Sequence, residues 1–331
     1  MRKTVHLCLS SHDEVMYRSE ADLIAGFNCF AVAVLYTESR ALAEGFLSTH
    51  SHQLIQSDAP REAMHRSRNA YARYFNSRYH RRGRLGEKHY YYLEIEGLHH
   101  TMAALNYVNR QGLHHGLATT PFDYPHGSAN AVFRKELGKN SPVSLLPDFL
   151  RSHYLPSNVT VPTRYRMSES GLLLREDILD TAYVEELYVS PRSFLFQMNR
   201  ISEEERSLER QKEENDTPPI TLEVIEEGVP DFQADFCRSN EFGKVNWQRM
   251  TDIELCRLID TDLVPRLLDN PEKTSVYDVP LSRRIQLFER LREESQAARY
   301  RKGRSVFGNK FVTDAQLQRC LCLKYAGDAT E

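Results

Sequence analysis

The segment Leu105-Asn106-Tyr107-Val108-Asn109-Arg110-Gln111 is the part of the chain from which both the fold and the chemistry can be inferred. The segment reads as helical, and residues four apart share one helical face, so Tyr107 and Gln111 are expected to be neighbours. A phenol can attack phosphorus, and an amide oxygen can ligate a hard metal ion. One helical turn could therefore carry both a nucleophile and a metal ligand, although a tyrosine on a helix is more often a packed side chain.

The chain before this turn alternates predicted strands with predicted helices. β-forming residues predict strands, and apolar residues at helical spacing predict helices. The predicted order is strand 4–9, a short extended piece 15–17, helix 20–36, strand 42–49 continued by or paired with 53–56, helix 60–79, strand 89–95 and a helix after Gly97. This order predicts an α+β fold, a small antiparallel sheet with helices covering one of its faces.

The rest of the chain is predicted to be mainly helical. We expect units at 1–135, 136–230 and 231–331, with a helical region at 176–200, a solvated charged run at 203–216 and a break at Thr217-Pro218-Pro219. Capping patterns at Thr251 and Thr313 open a helix to about residue 268 and a last helix. That last helix and a helix over 281–300 flank a basic loop, 299–304, and the pair fits either a DNA-gripping helix-turn-helix or a helical packing unit.

The composition is that of a soluble globular protein, which we expect in the cytoplasm. The chain has 331 residues, 40 % of them hydrophobic, and no run approaches the roughly 18 apolar residues of a membrane span. Its start does not resemble a signal peptide. The six cysteines are scattered without a C-x-x-C pair, which argues against a disulfide framework or a zinc finger.

The pair His50-Ser51-His52 is a candidate metal site. The prediction places it at the end of strand 42–49, where alternate residues project to the same face and two imidazoles can grip one divalent cation. By itself the pattern is weak, because two histidines so spaced also occur as ordinary surface or core side chains.

The segment Arg61–Lys88 is strongly basic although the whole chain has a formal net charge of −3. Tyrosines are interleaved with its arginines, a mixture that suits phosphate neutralisation together with base stacking or core packing. Alternatively, such a helix is only a solvated face. The candidate DNA-binding residues are Arg66, Arg68, Arg73, Arg78, Arg81, Arg82, Arg84 and Lys88.

Taken in order, these motifs resemble the single-tyrosine HUH transposases, especially the repeat-associated tyrosine transposases of bacteria. The resemblance covers about residues 1–133. It rests on His50-Ser51-His52, Tyr71 to Tyr79, Gly83-Arg84-Leu85-Gly86, Leu105 to Leu117, and Asp123-Tyr124-Pro125-His126-Gly127-Ser128. The sequence departs from the family at Ser51, where a hydrophobic residue is usual, at Gln53, and at His114-His115, where family members commonly have Arg-Ala.

The resemblance implies an HUH endonuclease fold of the ferredoxin or RRM-like kind. It implies that His50, His52 and Gln111 ligate Mg²⁺ or Mn²⁺ and that Tyr107 is the nucleophile. The implied reaction is cleavage and rejoining of single-stranded, hairpin or repeat-flanking DNA through a 5′-phosphotyrosine link, in bacterial cytoplasm at the nucleoid. Two other functions remain open: a domesticated relative that binds DNA without cleaving it, and a two-histidine metal phosphodiesterase. A homodimer is also open, because related enzymes differ in whether the tyrosine acts in its own subunit.

Overall fold

Strand β1 (Lys3–Ser10) is an inner strand of a four-stranded antiparallel sheet with the order β2-β3-β1-β4. The computed structural model describes residues 2–139, 141–198, 237–239, 246–268, 274–298, 305–308 and 310–325. The other elements of this domain are α1 (Glu20–Tyr36), β2 (Arg40–Phe46), β3 (His50–Ser57), α2 (Pro60–Arg78) and β4 (Tyr91–Ile95). Each helix joins two strands separated by one antiparallel neighbour, the split β-α-β arrangement of ferredoxin-like folds. The predicted α+β fold is confirmed.

Both faces of the sheet are covered by helices, so the expectation that helices cover only one face is wrong. Helices α1 and α2 pack on the face that includes Leu7 and Ile55. Helix α3 (Leu98–Asn109) packs on the opposite face, with Leu105 in the same apolar cluster as Leu54. The physical reason is that, after Lys3, β1 and β3 carry uncharged side chains on both faces, and each face must be shielded from water.

Two predicted strand boundaries differ from the structure. The predicted strand 42–49 ends at Phe46 in the structure. A tight turn follows, in which the Leu47 N–H donates a hydrogen bond to the His50 carbonyl at 2.8 Å, and β3 begins at His50. The histidine pair therefore opens a strand, where the prediction had it ending one. The predicted extended piece 15–17 is irregular, and its apolar side chains are buried, so its β-forming residues reflect burial and not pairing.

Residues 141–198 pack on both layers of helices: 156–165 lie against α1 and α2, whereas 184–198 pack on the outer side of α3. They form three short helices, α5 (Arg175–Ile178), α6 (Thr181–Tyr188) and α7 (Pro191–Met198), after α4 (Gln111–His114). The Tyr188 hydroxyl donates to Asn106 Oδ1 of α3 at 2.6 Å, and Leu179 forms an isolated bridge with Ala41 of β2. This segment therefore fixes α3 against the sheet from outside.

The C-terminal region is mainly helical and carries a small second sheet, as its described parts show. Its elements are β5 (Cys237–Ser239), β6 (Asn246–Arg249), α8 (Asp252–Arg257), α9 (Leu281–Ala298), β7 (Lys310–Phe311) and α10 (Asp314–Cys320). Both predicted capping boxes are confirmed: Thr251 caps α8 and Thr313 caps α10. After α8 the chain continues as a π-helix (Leu258–Leu263) and a 3₁₀-helix (Val264–Arg266). Helices α9 and α10 contact each other, with β7 between them in sequence. The charged run 203–216, the break 217–219 and the basic loop 299–304 lie outside the described residues.

The C-terminal region contacts the N-terminal domain through an ion pair and through a hydrogen bond to a buried ion pair inside that domain. The Arg18 guanidinium meets the Asp260 carboxylate at 2.8 Å. The Arg81 guanidinium meets Glu14 at 2.6 Å, and the Tyr277 hydroxyl donates to the same carboxylate at 2.8 Å. These contacts fix the loop that follows α2.

Candidate functional site

The predicted metal ligands His50 and His52 project to the α3 face of the sheet. Their rings lie edge to face with centroids 5.0 Å apart, and both side chains are buried. The residue between them, Ser51, points to the other face, where it hydrogen-bonds the buried Tyr17 hydroxyl. The unusual serine of this motif is therefore matched by a polar partner in the core.

The end of α3 brings Tyr107 and Gln111 to these histidines. The Tyr107 ring lies edge to face against His52, with centroids 5.2 Å apart. Gln111 lies just past the end of α3, where its amide Nε2 donates to the Tyr107 carbonyl at 3.1 Å. The Gln111 side chain also hydrogen-bonds His50. The structure thus brings together the four residues that the sequence analysis selected as nucleophile and ligands.

Gly45 of β2 allows this close approach. It is paired with His52, and a Cβ built there would lie 3.4 Å from the Val108 carbonyl oxygen and 3.8 Å from Gln111 Cβ. A methyl group at that distance is ordinary contact, but a longer side chain would separate the helix from the strand. The end of α3 can therefore rest directly on β2 beside the histidine pair.

His6 is a member of this cluster that the sequence reasoning missed. Its Nε2 lies 3.1 Å from His52 Nδ1, and its ring stacks on that of His52 with centroids 5.3 Å apart. The signal was present in the sequence, since His6 is on the α3 face of β1 by strand alternation. What could not be read from the sequence was the register that places β1 beside β3.

Burial keeps the histidines of the site neutral. Desolvation lowers the pKa of His50 to about 4, partly opposed by its hydrogen bond to Gln111, and lowers the pKa of His6 to about 3. Desolvation, with neighbouring imidazoles adding to it, holds the pKa of His52 well below its ordinary value. Neutral imidazole is the form that ligates a metal ion.

The cluster has atoms suited to a divalent cation. In the described part of the chain, no three His, Cys, Asp or Glu side chains are disposed to share one cation, but the predicted set contains two imidazoles and a carboxamide. The His52 Nε2 atom is buried without a hydrogen-bond partner among the described residues. A buried nitrogen in that state is costly unless it is bound, so the donor set fits a metal ion.

The segment around Asp123-Tyr124-Pro125 supports the tyrosine turn from behind. A Cβ on Gly112 would lie 2.4 Å from Tyr124 Cγ, so only glycine lets that ring pack there. The Tyr124 hydroxyl donates to the Phe46 carbonyl at 2.5 Å. Ser128 Oγ accepts from the Glu44 N–H at 3.0 Å and lies 2.7 Å from Asn109 Oδ1. This block therefore joins the end of α3 to the end of β2.

The predicted DNA-binding residues do not surround the histidine cluster. Helix α2 lies on the opposite face of the sheet, so Arg66, Arg73 and Arg78 are separated from Tyr107 by the sheet. The basic helix and the histidine cluster therefore lie on different faces of the sheet. Arg66 pairs with Glu62 at 2.9 Å and Arg78 with Asp22 at 3.4 Å, whereas exposed Arg73 has no hydrogen bond or ion pair to any described residue.

The basic loop after α2 is closer to the site than the helix. Arg68 donates to backbone carbonyls of this loop, and buried Arg81 directs its donors to Glu14 and to loop carbonyls. The Glu87 N–H donates to the Ser10 carbonyl at 2.8 Å, and Ser10 is paired with His50. Glu87 therefore lies two strand spacings, about 10 Å, from the histidine pair. The exposed basic residues of the loop are Arg82, Arg84 and Lys88.

Comparison with known proteins gives one structural neighbour. It is a REP-associated tyrosine transposase bound to a REP hairpin, with a TM-score of 0.31 and 12 % identity, covering 41 % of this chain and 80 % of the other. No protein-family model and no curated protein matches the sequence. Among the described helices, none is long and apolar enough to cross a membrane.

Proposed function

We propose that this protein binds DNA and cleaves and rejoins a single strand through a tyrosine intermediate. The observation that carries the proposal is the contact between the Tyr107 ring and His52, 5.2 Å between centroids, with His50 and Gln111 on the same side of the sheet. A nucleophile next to two neutral imidazoles and a carboxamide is the set that metal-assisted attack on a phosphodiester needs.

In the proposed reaction the Tyr107 oxygen attacks phosphorus in line with the leaving oxygen. The O–P bond to tyrosine forms as the bond from phosphorus to the 3′ oxygen breaks. The phenolic proton is lost, and the 3′ oxygen gains one, which leaves a 5′-phosphotyrosine and a free 3′-hydroxyl. His50, His52 and Gln111 would hold Mg²⁺ or Mn²⁺, which supplies charge stabilisation at a phosphate oxygen. The covalent link retains the energy of the broken bond, so the reverse reaction on a new end needs no nucleotide cofactor.

One observation favours the alternative of DNA binding without cleavage. Tyr107 is 5 % exposed, and His50 and His52 are 2 % and 0 % exposed. A phosphodiester can reach Tyr107 only if neighbouring side chains move. If they do not move, the protein is a DNA-binding relative that has lost cleavage.

The deciding experiment incubates the full chain with labelled single-stranded hairpin DNA and Mn²⁺ and separates the products on a denaturing gel. We expect a covalent protein–DNA adduct that Tyr107→Phe abolishes, at least about a thousandfold below the parent protein. The matched control is Tyr91→Phe, which alters a tyrosine that contacts His6 on the same face and should retain the adduct.

Two results would contradict the proposal. Tight binding of the hairpin without an adduct in the parent protein indicates the DNA-binding alternative. Cleaved product that carries no protein, and that persists in Tyr107→Phe, indicates a metal phosphodiesterase with water as the nucleophile.

A further inference from the structure

A cavity of about 770 Å³ lies on the side of the molecule opposite the histidine cluster, between α1, α2 and residues 156–165. Side chains of α1 provide its apolar wall, among them Val32 and Leu35. Side chains of α2 and of the 156–165 segment provide its polar wall, among them Asn69, Arg73 and Arg164. Its volume is in the range of cavities that hold a small organic ligand.

Two tyrosines at this cavity each carry a stacked arginine. The Arg66 guanidinium lies 3.4 Å from the centroid of the Tyr36 ring, and the Arg164 guanidinium lies 4.8 Å from that of Tyr165. Tyr36 nevertheless stays 63 % exposed, so most of its surface is open to a ligand. Planar cationic and aromatic groups of this kind stack on nucleobases.

The charge of the cavity favours an anionic ligand. Three arginines and one acidic residue, Glu62, line it, and Glu62 is already paired with Arg66. Arg73 has no hydrogen bond or ion pair within the described part of the chain, so its guanidinium is available for a phosphate, which it can bind in a bidentate manner.

We propose that this cavity binds one unstacked nucleotide of a DNA single strand, with the base near Tyr36 and the phosphate on Arg73. A duplex does not fit these features, because its bases are stacked on each other and cannot reach an apolar wall. The site lies across the sheet from Tyr107, so it would hold DNA at a distance from the reacting phosphate. The inference shares with the proposed function the premise that DNA is the partner, but it does not depend on cleavage.

The test measures binding of a fluorescein-labelled oligothymidylate of about twelve nucleotides by anisotropy, in the full chain carrying Tyr107→Phe so that no adduct forms. We expect Arg73→Gln to weaken binding about tenfold, through loss of a charge-assisted phosphate contact. Tyr36→Ala should weaken it to a similar extent, and Tyr36→Phe should not, because stacking needs the ring and not the hydroxyl.

The charge-matched control is Arg192→Gln, an exposed position on α7 outside the cavity, which should bind as the parent does. Competition with thymidine monophosphate distinguishes a nucleotide within a DNA strand from a free nucleotide. If thymidine monophosphate displaces the oligothymidylate from the parent protein but not from Arg73→Gln, a free nucleotide also enters the site. Absence of oligothymidylate binding, or binding unchanged by both Arg73→Gln and Tyr36→Ala, overturns the inference. Binding that depends on these residues, in a protein whose parent forms no adduct, overturns only the cleavage proposal.

Discussion

The ring of His52 in β3 meets the ring of Tyr107 in α3 edge to face, with centroids 5.2 Å apart. Two elements with 40 residues between them therefore place a candidate ligand and a candidate nucleophile in one cluster within one chain. The tyrosine and the histidines can therefore meet within one chain, without exchange of α3 between subunits.

Loss of His6 should weaken metal binding without removing a ligand. Its Nε2 lies 3.1 Å from His52 Nδ1, and this hydrogen bond leaves His52 Nε2 as the nitrogen available to a metal ion. We expect His6→Phe to lower Mn²⁺ affinity about 10- to 100-fold, the usual effect of removing a partner behind a ligating histidine. His52→Ala should abolish Mn²⁺ binding. Electron paramagnetic resonance, which measures the concentration of free Mn²⁺, would report both changes. Unchanged affinity in His6→Phe would contradict this role.

Gly112→Ala should destabilise the fold at the tyrosine turn. The new Cβ would lie 2.4 Å from Tyr124 Cγ, and that ring is buried and bonded to the Phe46 carbonyl. We expect a loss of about 1–3 kcal/mol in the free energy of unfolding, the cost of overpacking. Gly45→Ala is the control, since its Cβ meets atoms only at 3.4 Å and beyond. Urea denaturation compares the two, and equal stabilities would refute the steric argument.

Arg81→Met should be strongly destabilising although Arg81 is one of the predicted DNA-binding residues. Its guanidinium meets Glu14 at 2.6 Å, and both side chains are nearly inaccessible. Removing one partner leaves a buried charge, which costs about 3–5 kcal/mol in the free energy of unfolding. Arg84→Met, at an exposed position of the same loop, should change it by less than about 0.5 kcal/mol. The double variant Glu14→Gln, Arg81→Met should recover part of the loss; no recovery would mean that packing, and not charge, is the cause.

The stability of the protein should fall with pH below about 6.5, and His126 should contribute to that fall. Burial, with Arg175 adding to it, lowers the pKa of His126 from 6.5 to about 3. Between those values the unfolded chain binds more protons than the folded one, so stability decreases as pH decreases, by at most about 1.4 kcal/mol per pH unit for one group. Urea denaturation of His126→Phe at pH 6.5 and 5 should show a smaller difference than the parent protein. His89→Phe, at an exposed position, is the control and should retain the parent difference.

The sequence by itself determined the order of the elements and the side chains of the candidate site. Helical spacing gave α1 to the residue, capping patterns located α8 and α10, and the short-range relationship of Tyr107 to Gln111 is fixed by helix geometry. The pairing of His50 with His52 on one face follows from strand alternation in the same way. These features depend on contacts between residues close in sequence.

Only the tertiary structure decided which groups face one another. The register between β1 and β3 places His6 beside His52. Because α3 packs on one face of the sheet, Tyr107 contacts both histidines. Because α2 packs on the other face, the basic helix lies away from these three side chains. Arg81 and Arg73 belong to the same basic segment, yet one is buried in an ion pair and the other is exposed at a cavity. The reason is physical: residue type and spacing set local conformation, whereas burial and partners depend on how distant segments fill the same space.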